Sequence, residues 1–430
     1  MRIFFDTVGC RLNQSEIERL ANGFRALGHE IVSDPGDADL AVVNTCAVTV
    51  KAAADSRKKL RRAARKGARE VIATGCWATL YPEQARELEG VTGVVLNDEK
   101  EALISKVLHI PQEDVSALTL VREPLPGDRA RTRAFVKVQA GCDNHCTYCL
   151  TRVARGKSQS RTLREVKRDV QAAIAGGARE IVLTGVQLGA WGRDLTPLQR
   201  LDDLIAGVLS MREVGRLRLS SIEPWDFDPA YLGLWEDARL CRHLHIPLQS
   251  GNDRILKKMG RPIRREAFAE LTQKIREVIP GIALTTDVIA GFPSETEDEF
   301  GTTLEFVKRM KFAGGHAFTY SPRPGTAAYE MNDKVPVQQA KARNAKLRKL
   351  FNEAGRNYRA QFIGKRISVL WESSAMNRDG TWNLSGLTDN YIRVFATGRS
   401  DLWNEFTTID LEGHHPSRQA LIGILKPDRS

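Results

Sequence analysis

Segments rich in β-forming residues alternate with amphipathic helical segments in two successive series, and this pattern restricts the chain to parallel sheets covered by helices. In the first series Arg2–Val8, Leu40–Thr45 and Val71–Thr74 read as strands, while Asn13–Leu27, Val50–Lys66 and Pro82–Leu88 read as helices. Cys10, Cys46 and Cys76 each follow one of these strands at its carboxyl end. In an open parallel sheet those ends lie along one edge, where ligands bind. The pattern therefore predicts that three cysteines far apart in sequence meet at one rim, as a second three-cysteine metal–sulfur site. Three separately buried free thiols are the alternative.

The second series begins at Ala134, with strands expected over Phe135–Gln139, Glu180–Thr184, Arg216–Ser220, His243–Leu248, Ala283–Ile289 and His316–Tyr320. Helices over Leu163–Ala175, Arg265–Val278 and Glu297–Lys311 separate most of them. Six parallel strands make an incomplete (β/α)6 barrel, whose functional groups gather at the C-terminal strand ends. Directly after the first of these strands comes Gly141-Cys-Asp-Asn-His-Cys-Thr-Tyr-Cys149, a C-x3-C-x2-C cluster of Cys142, Cys146 and Cys149. Three thiolates on one short loop can hold three irons of a cubane cluster and leave the fourth open to a small molecule. Structural zinc is the rival, but closed zinc sites need four ligands. The only nearby candidate, His145, lies between the first two cysteines, poorly placed to complete a tetrahedron with them.

From Val337 to Phe362 a long amphipathic helix is expected, with Leu347, Phe351, Ala354 and Tyr358 on its apolar stripe. Its exposed face is read as Lys341, Arg343, Lys346, Arg348, Lys349, Arg356 and Arg359. Beyond it, Ile367–Trp371, Tyr391–Ala396 and Thr407–Leu411 are short β-rich pieces broken by Gly, Asn and Asp, which suits a small β-barrel of the oligonucleotide-binding kind. The domain limits read 1–110, a proline- and charge-rich linker at 111–133, 134–360 and 361–430. The formal net charge is +11, from 64 Lys and Arg against 53 Asp and Glu, and suggests a polyanionic partner such as nucleic acid. Seven cysteines, an odd number, sit badly with a secreted disulfide framework and suit a reducing cytoplasm. Met1-Arg-Ile-Phe-Phe-Asp-Thr-Val8 reads as a strand and lacks the apolar core of a signal peptide. No apolar run is long enough for a membrane helix. P-loop, G-x-G-x-x-G, H-E-x-x-H and G-x-S-x-G motifs are absent.

The C-x3-C-x2-C loop, with Tyr148 before its last cysteine, resembles that of the radical S-adenosylmethionine (SAM) enzymes. Val8-Gly-Cys-Arg-Leu-Asn13, Val43-Asn-Thr-Cys-Ala-Val48 and Thr74-Gly-Cys76 resemble the N-terminal domain of radical-SAM methylthiotransferases. Similar barrel motifs are Leu183-Thr-Gly-Val186, Leu219-Ser-Ser-Ile-Glu-Pro224, Ile246-Pro-Leu-Gln-Ser-Gly251, Asp287-Val-Ile-Ala-Gly-Phe-Pro293 and Tyr320-Ser-Pro-Arg-Pro-Gly-Thr326. Leu384-Ser-Gly-Leu-Thr-Asp-Asn-Tyr-Ile-Arg-Val394 resembles the family's RNA-binding TRAM barrel. The implied fold is α/β: an N-terminal parallel methylthiotransferase domain, a central partial radical-SAM barrel and a C-terminal TRAM β-barrel. One departure stands out: after Cys149 the chain reads Leu150-Thr-Arg-Val153, where many members carry Ile-Ile-Pro-Tyr.

The resemblance implies two [4Fe–4S] clusters. One, on Cys142, Cys146 and Cys149, binds SAM and generates a 5′-deoxyadenosyl radical; the other, on Cys10, Cys46 and Cys76, carries the sulfur. SAM would be held by Thr184, Gly185, Ser221, Glu223 and Gln249, with Tyr148, Ile289 and Gly291 beside its adenine. Gly-Cys-Arg-Leu-Asn at the first cysteine is similar to the branch that methylthiolates C2 of N6-threonylcarbamoyladenosine, next to the anticodon at tRNA position 37. Isopentenyladenosine in tRNA, or a ribosomal-protein side chain, is the alternative substrate, and a metal-stabilised RNA-binding protein is the non-enzymatic one. The implied partners are the tRNA anticodon stem-loop and an electron donor such as flavodoxin or ferredoxin, with no membrane, for a cytoplasmic monomer. Arg11 is a possible partner for the threonyl carboxylate, Arg323 for tRNA or the second cluster, and Cys241 is expected to be a buried structural thiol.

Overall fold

The structure, a computed structural model, describes residues 1–118, 120–125 and 132–425. These gather into two compact units: the chain up to Asn144 together with Cys149–Arg200, and His145–Tyr148 together with the chain from Leu201 onward.

The first unit opens with β1 (Arg2–Thr7), α1 (Arg11–Ala26), β2 (Glu30–Val32), β3 (Leu40–Thr45), α2 (Val50–Arg65), β4 (Glu70–Gly75), α3 (Cys76–Leu80) and β5 (Gly93–Val95). The five strands form one parallel sheet in the order β2-β1-β3-β4-β5. All six residues of central β3 are buried, as expected for a parallel strand covered on both faces. Its alternate side chains serve two cores. Leu40 and Val42 pack with Ile3, Ile17 and Phe24 on the α1 side, while Ala41 and Val43 pack with Leu60, Val71 and Trp77 on the α2 side. β2 and β5, three residues each, were not expected, because they are too short to show a two-residue period.

The proline-rich segment after this sheet carries one short element. Gln112–Ala117 is helical, and Arg25 of α1 donates to the carbonyls of Glu123 and Pro124. Residues 119 and 126–131 of the expected linker, and 426–430 of the expected last domain, lie outside the described residues.

The central region carries the strands expected of a partial (β/α)6 barrel, shared between the two units. Arg133–Lys137 and Glu180–Thr184 pair in parallel in the first unit, joined through the helix Leu163–Ala175, whose N-terminus is closed by a Thr162/Glu165 capping box. In the second unit His243–His245, Ala283–Ala290 and Gly314–Thr319 are parallel neighbours. Arg216–Leu219 joins that set through the parallel bridges Leu217↔Leu240 and Ser221↔His245.

The C-terminal strands Arg366–Met376, Trp382–Thr388, Arg393–Gly398, Leu421–Ile424 and Phe406–His414 close a barrel in that order. Its core of Val369, Trp371, Val394, Ile409 and Leu421 also takes Tyr358 from the last turn of the long helix, Phe362 from just after it and Ala283 from a central strand. Arg216 and Arg218 donate to carbonyls of Leu387, Thr388 and Asp389, and the His243 ring stacks on Tyr391 at 4.1 Å.

One expectation for the helix Val337–Ala360 is corrected. Arg343 is not on the exposed face but 2% exposed, 2.9 Å from Glu295 and 3.0 Å from Glu297. It stands one helical turn before Leu347 and two before Phe351, so the i, i+4 spacing turns it into the packed side. Among the described residues no helix is long and apolar enough to cross a membrane.

Candidate metal–sulfur and cofactor site

Cys10 follows β1 as the residue capping α1, Cys46 follows β3, and Cys76 follows β4 as the first residue of α3. Because β1, β3 and β4 are adjacent in the sheet, all three thiols stand at one rim. Gly9 sits at φ +110°, and a Cβ there would lie 2.6 Å from the Cys46 sulfur, so only glycine lets the Cys10 turn approach so closely. The Cys46 thiol is pushed up to about 11, first by burial, with the Cys76 and Cys10 thiols adding to it and the Val48 N–H opposing. The buried Cys46 thiol is therefore held protonated until a metal supplies the compensating charge.

A buried charge network backs this rim. Arg155 donates from Nε to the Cys76 sulfur at 3.2 Å, and from its two other nitrogens to Glu16 at 2.8 Å and Asn13 at 2.6 Å. Glu16 also receives Lys100 at 2.8 Å and Asn44 at 3.1 Å, with Lys137 at 3.6 Å. Burial alone would raise the Glu16 carboxyl; Arg155, Lys100 and Lys137 hold it well below its usual range. Burial and the neighbouring Arg155 push Lys100 down, with Glu16 opposing. Asn13 ties the first two cysteine motifs together, donating to the carbonyls of Val8 and Thr45 at 2.7 and 3.0 Å.

Among the described residues no three His, Cys, Asp or Glu side chains are placed to hold a single metal ion. A cubane cluster is a larger object that takes each thiolate on a separate iron. Three thiols at one rim, with the buried Thr74 Oγ1 and Asn97 Oδ1 left without partners beside Cys76 in sequence or contact, fit such a group better than a mononuclear ion.

The C-x3-C-x2-C loop divides between the units. In the first, the Cys142 N–H donates to Gly156 O at 3.1 Å, and the Cys149 sulfur lies 3.0 Å from Thr151 Oγ1. Gln139, fully buried, donates to Gly141 O and accepts the N–H groups of Val186 and Gln187. It thereby fixes the start of the loop against the turn holding Gly185. Thr184 ends its strand, 2% exposed, and accepts from Val138 N–H.

In the second unit Thr147 is anchored by its N–H to Met259 O and its hydroxyl to Lys258 O. Tyr148 and Ile289 pack into one apolar cluster with Ile255, Met259, Phe292 and Tyr320. Ser221, Glu223 and Gln249 are half-buried, just beyond or near the ends of their strands. Gln249 holds φ +70°, a conformation unusual for a side-chain-bearing residue and found disproportionately at functional sites. Gly291 has a packing reason of its own: a Cβ there would lie 2.4 Å from the Ala340 Cβ. Buried polar atoms without partners among the described residues collect here, namely Ser220 Oγ, Asp287 Oδ1, Arg261 Nε and Tyr320 Oη, so these strand ends suit a polar ligand such as SAM.

Sequence reasoning missed Arg155, Arg261, Gln139 and Asn97, which lie between motifs and meet the site only through the fold. Arg11 is exposed, its guanidinium 4.8 Å above the Phe135 ring. Cys241 is buried, as expected.

Residues 136–307 match the Radical SAM superfamily, and residues 2–97 match the Uncharacterized protein family UPF0004. The cysteine loop and the parallel strands thus belong to a radical-SAM enzyme. Threonylcarbamoyladenosine tRNA methylthiotransferase MtaB of Bacillus subtilis is 34% identical over 426 residues, covering 95% of this chain and 93% of that protein. Its namesake from Thermotoga maritima is 36% identical over 400 residues, covering 90% and 89%. The tRNA-2-methylthio-N(6)-dimethylallyladenosine synthase of Clostridium tetani is 31% identical over 415 residues, covering 93% and 91%. Among solved structures, the radical S-adenosylmethionine methyltransferase TsrM from Kitasatospora setae shares the fold at a TM-score of 0.56 and 15% identity, over 76% of this chain and 77% of that one. The chain belongs to the radical-SAM methylthiotransferase family.

Proposed function

We propose that this enzyme installs a methylthio group at C2 of N6-threonylcarbamoyladenosine, at position 37 beside the tRNA anticodon, using two [4Fe–4S] clusters and SAM. The observation carrying the two-cluster reading is the placement of Cys10, Cys46 and Cys76 at the ends of three adjacent strands, apart in sequence from the C-x3-C-x2-C loop. When bound, the clusters supply one-electron cleavage of SAM at one triad and sulfur at the other. The protein's own part is binding, orientation and shielding. Cys142, Cys146 and Cys149 hold the SAM-cleaving cluster; Thr184, Gly185, Ser221, Glu223 and Gln249 orient the polar groups of SAM. The apolar cluster of Tyr148 and Ile289 packs against its adenine and keeps water out. The division of labour follows 1–110, 134–360 and 361–430, the last serving tRNA, with electrons from a donor of the flavodoxin or ferredoxin kind.

The substrate branch is supported by Gly9-Cys-Arg-Leu-Asn13 and by the names of the two relatives at 34% and 36% identity. A threonylcarbamoyl group brings a carboxylate that needs a cation or N–H donor, whereas a dimethylallyl group needs an apolar pocket. Exposed Arg11 is the cation nearest the first cysteine in sequence. The test incubates the reconstituted enzyme with matched anticodon stem-loops carrying each modification. Methylthiolation of the threonylcarbamoyl substrate is expected, and turnover of the dimethylallyl substrate alone would reassign the branch.

A further inference from the structure

We infer that Arg155 is a positioning residue for the N-terminal metal–sulfur group: its guanidinium holds the Cys76 sulfur and supplies buried positive charge to balance an anionic iron–sulfur group. The inference rests on the reading that Cys10, Cys46 and Cys76 hold such a group.

The geometry goes beyond an ordinary buried ion pair. The Arg155 side chain is 4% exposed, as are those of Glu16 and Lys100. Its two terminal nitrogens already satisfy Glu16 and Asn13, and the remaining Nε–H is spent on a sulfur, 3.2 Å away. A neutral thiol is a weak acceptor for a guanidinium, whereas a thiolate ligated to iron is a strong one. The charges point the same way. Two buried cations, Arg155 and Lys100, face one buried carboxylate, Glu16, while Lys137, 3.6 Å from Glu16, is balanced by Glu101 at 2.7 Å. Burying excess positive charge is costly unless an anion is present. The open end of this network is the Cys76 sulfur.

The source of Arg155 adds a second consequence. It is the last residue of the short helix Thr151–Arg155, which begins two residues after Cys149. The preceding carbonyl, of Ala154, accepts from Asn97 Nδ2 at 2.7 Å, and the same Asn97 nitrogen lies 3.8 Å from the Cys76 sulfur. The segment from Cys149 to Arg155 is therefore latched to Cys76 at its end. It includes the Leu150-Thr-Arg-Val153 stretch where the chain departs from the family pattern, so that departure leaves the latch intact. Hydrogen bonds to cluster sulfurs and nearby charge set reduction potentials, and outer-shell partners orient the ligands. Arg155 is thus placed to favour the reduced, more negative state of the N-terminal group, in which one added electron resides on the cluster.

The experiment uses the full-length chain with Cys142, Cys146 and Cys149 all replaced by Ala, so that only the N-terminal site can hold iron. Native Arg155, Arg155→Lys and Arg155→Met forms are reconstituted anaerobically with iron and sulfide. Bound iron is measured, and the cluster is titrated with dithionite while its paramagnetic reduced state is followed. With iron retained, Arg155→Met is expected to shift the oxidised-to-reduced ratio about tenfold toward oxidised, about 59 mV for a one-electron couple. Arg155→Lys, which keeps the charge, should recover more than half of that shift. Iron lost from the Met form but kept by the Lys form also supports the inference. Unchanged potentials with full iron overturn it, as does loss of iron from both variants together with a lowered melting temperature of the iron-free protein. If the native-Arg155 form itself binds no iron, the two-cluster reading fails instead.

Discussion

The guanidinium of Arg261 donates to the Glu223 carboxylate at 2.7 Å while lying 4.6 Å above the Trp225 ring. It also reaches Pro247 O and approaches the Tyr148 hydroxyl at 3.5 Å. Burial works against the Arg261 charge, yet Glu223, Tyr148 and Cys146 hold it above its ordinary value. Glu223, chosen from sequence as a SAM contact, thus has a fixed cation behind it that sets where its carboxylate points. The Arg261 side chain is 1% exposed and that of Glu223 20%, so the pair breaks asymmetrically.

Glu223→Ala leaves a buried unpaired arginine and should cost about 2–3 kcal/mol, below the 3–5 typical of fully buried pairs because Glu223 is partly exposed. Chemical denaturation of the iron-free protein checks this. Glu223→Gln, which keeps an acceptor, should cost less than half as much while weakening SAM binding about tenfold. Equal SAM affinity in the Gln variant and the parent would remove Glu223 from the cofactor site.

The cysteine triads are expected to act independently. Replacing Cys142, Cys146 and Cys149 by Ala should halve the bound iron and abolish 5′-deoxyadenosine formation from SAM. Replacing Cys10, Cys46 and Cys76 should also halve the iron, retain some 5′-deoxyadenosine formation and end methylthiolation. Full iron in the second variant refutes the N-terminal site.

Gly141→Ala is a subtler probe of the same loop. Gly141 lies at φ +70°, and a Cβ would fall 1.8 Å from Lys157 O, a backbone atom that cannot swing away. The substitution should displace the strand before Cys142 and lower iron at that triad while sparing the N-terminal one. Cluster spectra of the variant in each triple-Ala background distinguish the two sites; undiminished iron at the Cys142 triad would show that the loop tolerates the shift.

The cysteines were legible in the sequence because strand ends are marked locally: Cys10, Cys46 and Cys76 follow β-rich runs, and parallel topology does the rest. Arg155 was not, because its partners, Glu16 and Cys76, come from other elements and nothing in its local pattern distinguishes it from a surface arginine. Arg343 failed for a related reason. Charge argued for solvent, but its place in the helical period argued for the core, and Glu295 made the second outcome possible. In the small C-terminal barrel three strands showed enough β-branched and aromatic residues to be seen, whereas Trp382–Thr388 and Leu421–Ile424 contain glycine and serine or are short. Sheet closure, not local preference, makes them strands.

Arg343→Met should therefore report on packing rather than on RNA. It leaves Glu295, whose side chain is 1% exposed, without its cation, and about 3–5 kcal/mol of stability should be lost. Denaturation midpoints measure this, and tRNA affinity at fixed folded fraction should stay within twofold. A large loss of affinity with unchanged stability would return Arg343 to the exposed face.

Docking of tRNA is better tested by charge than by truncation, because removing the chain after Gly364 would strip the barrel core from Tyr358, Phe362 and Ala283. On the long helix Lys346 is already 3.5 Å from Glu297, whereas Lys341, Arg348 and Lys349 are exposed with no ion pair among the described residues. Replacing those three by Gln should leave folding and SAM cleavage unchanged and reduce tRNA affinity. Each phosphate that is no longer neutralised should flatten the salt dependence by about 0.7–0.9 in the slope of log K against log salt, so three phosphates amount to about 2–3. Filter binding across a salt series gives the slope directly. An unchanged slope would assign this face to solvation and direct the search to α2 and the residue after it, where Lys51, Lys58, Arg61, Arg62 and Lys66 form a second exposed basic surface.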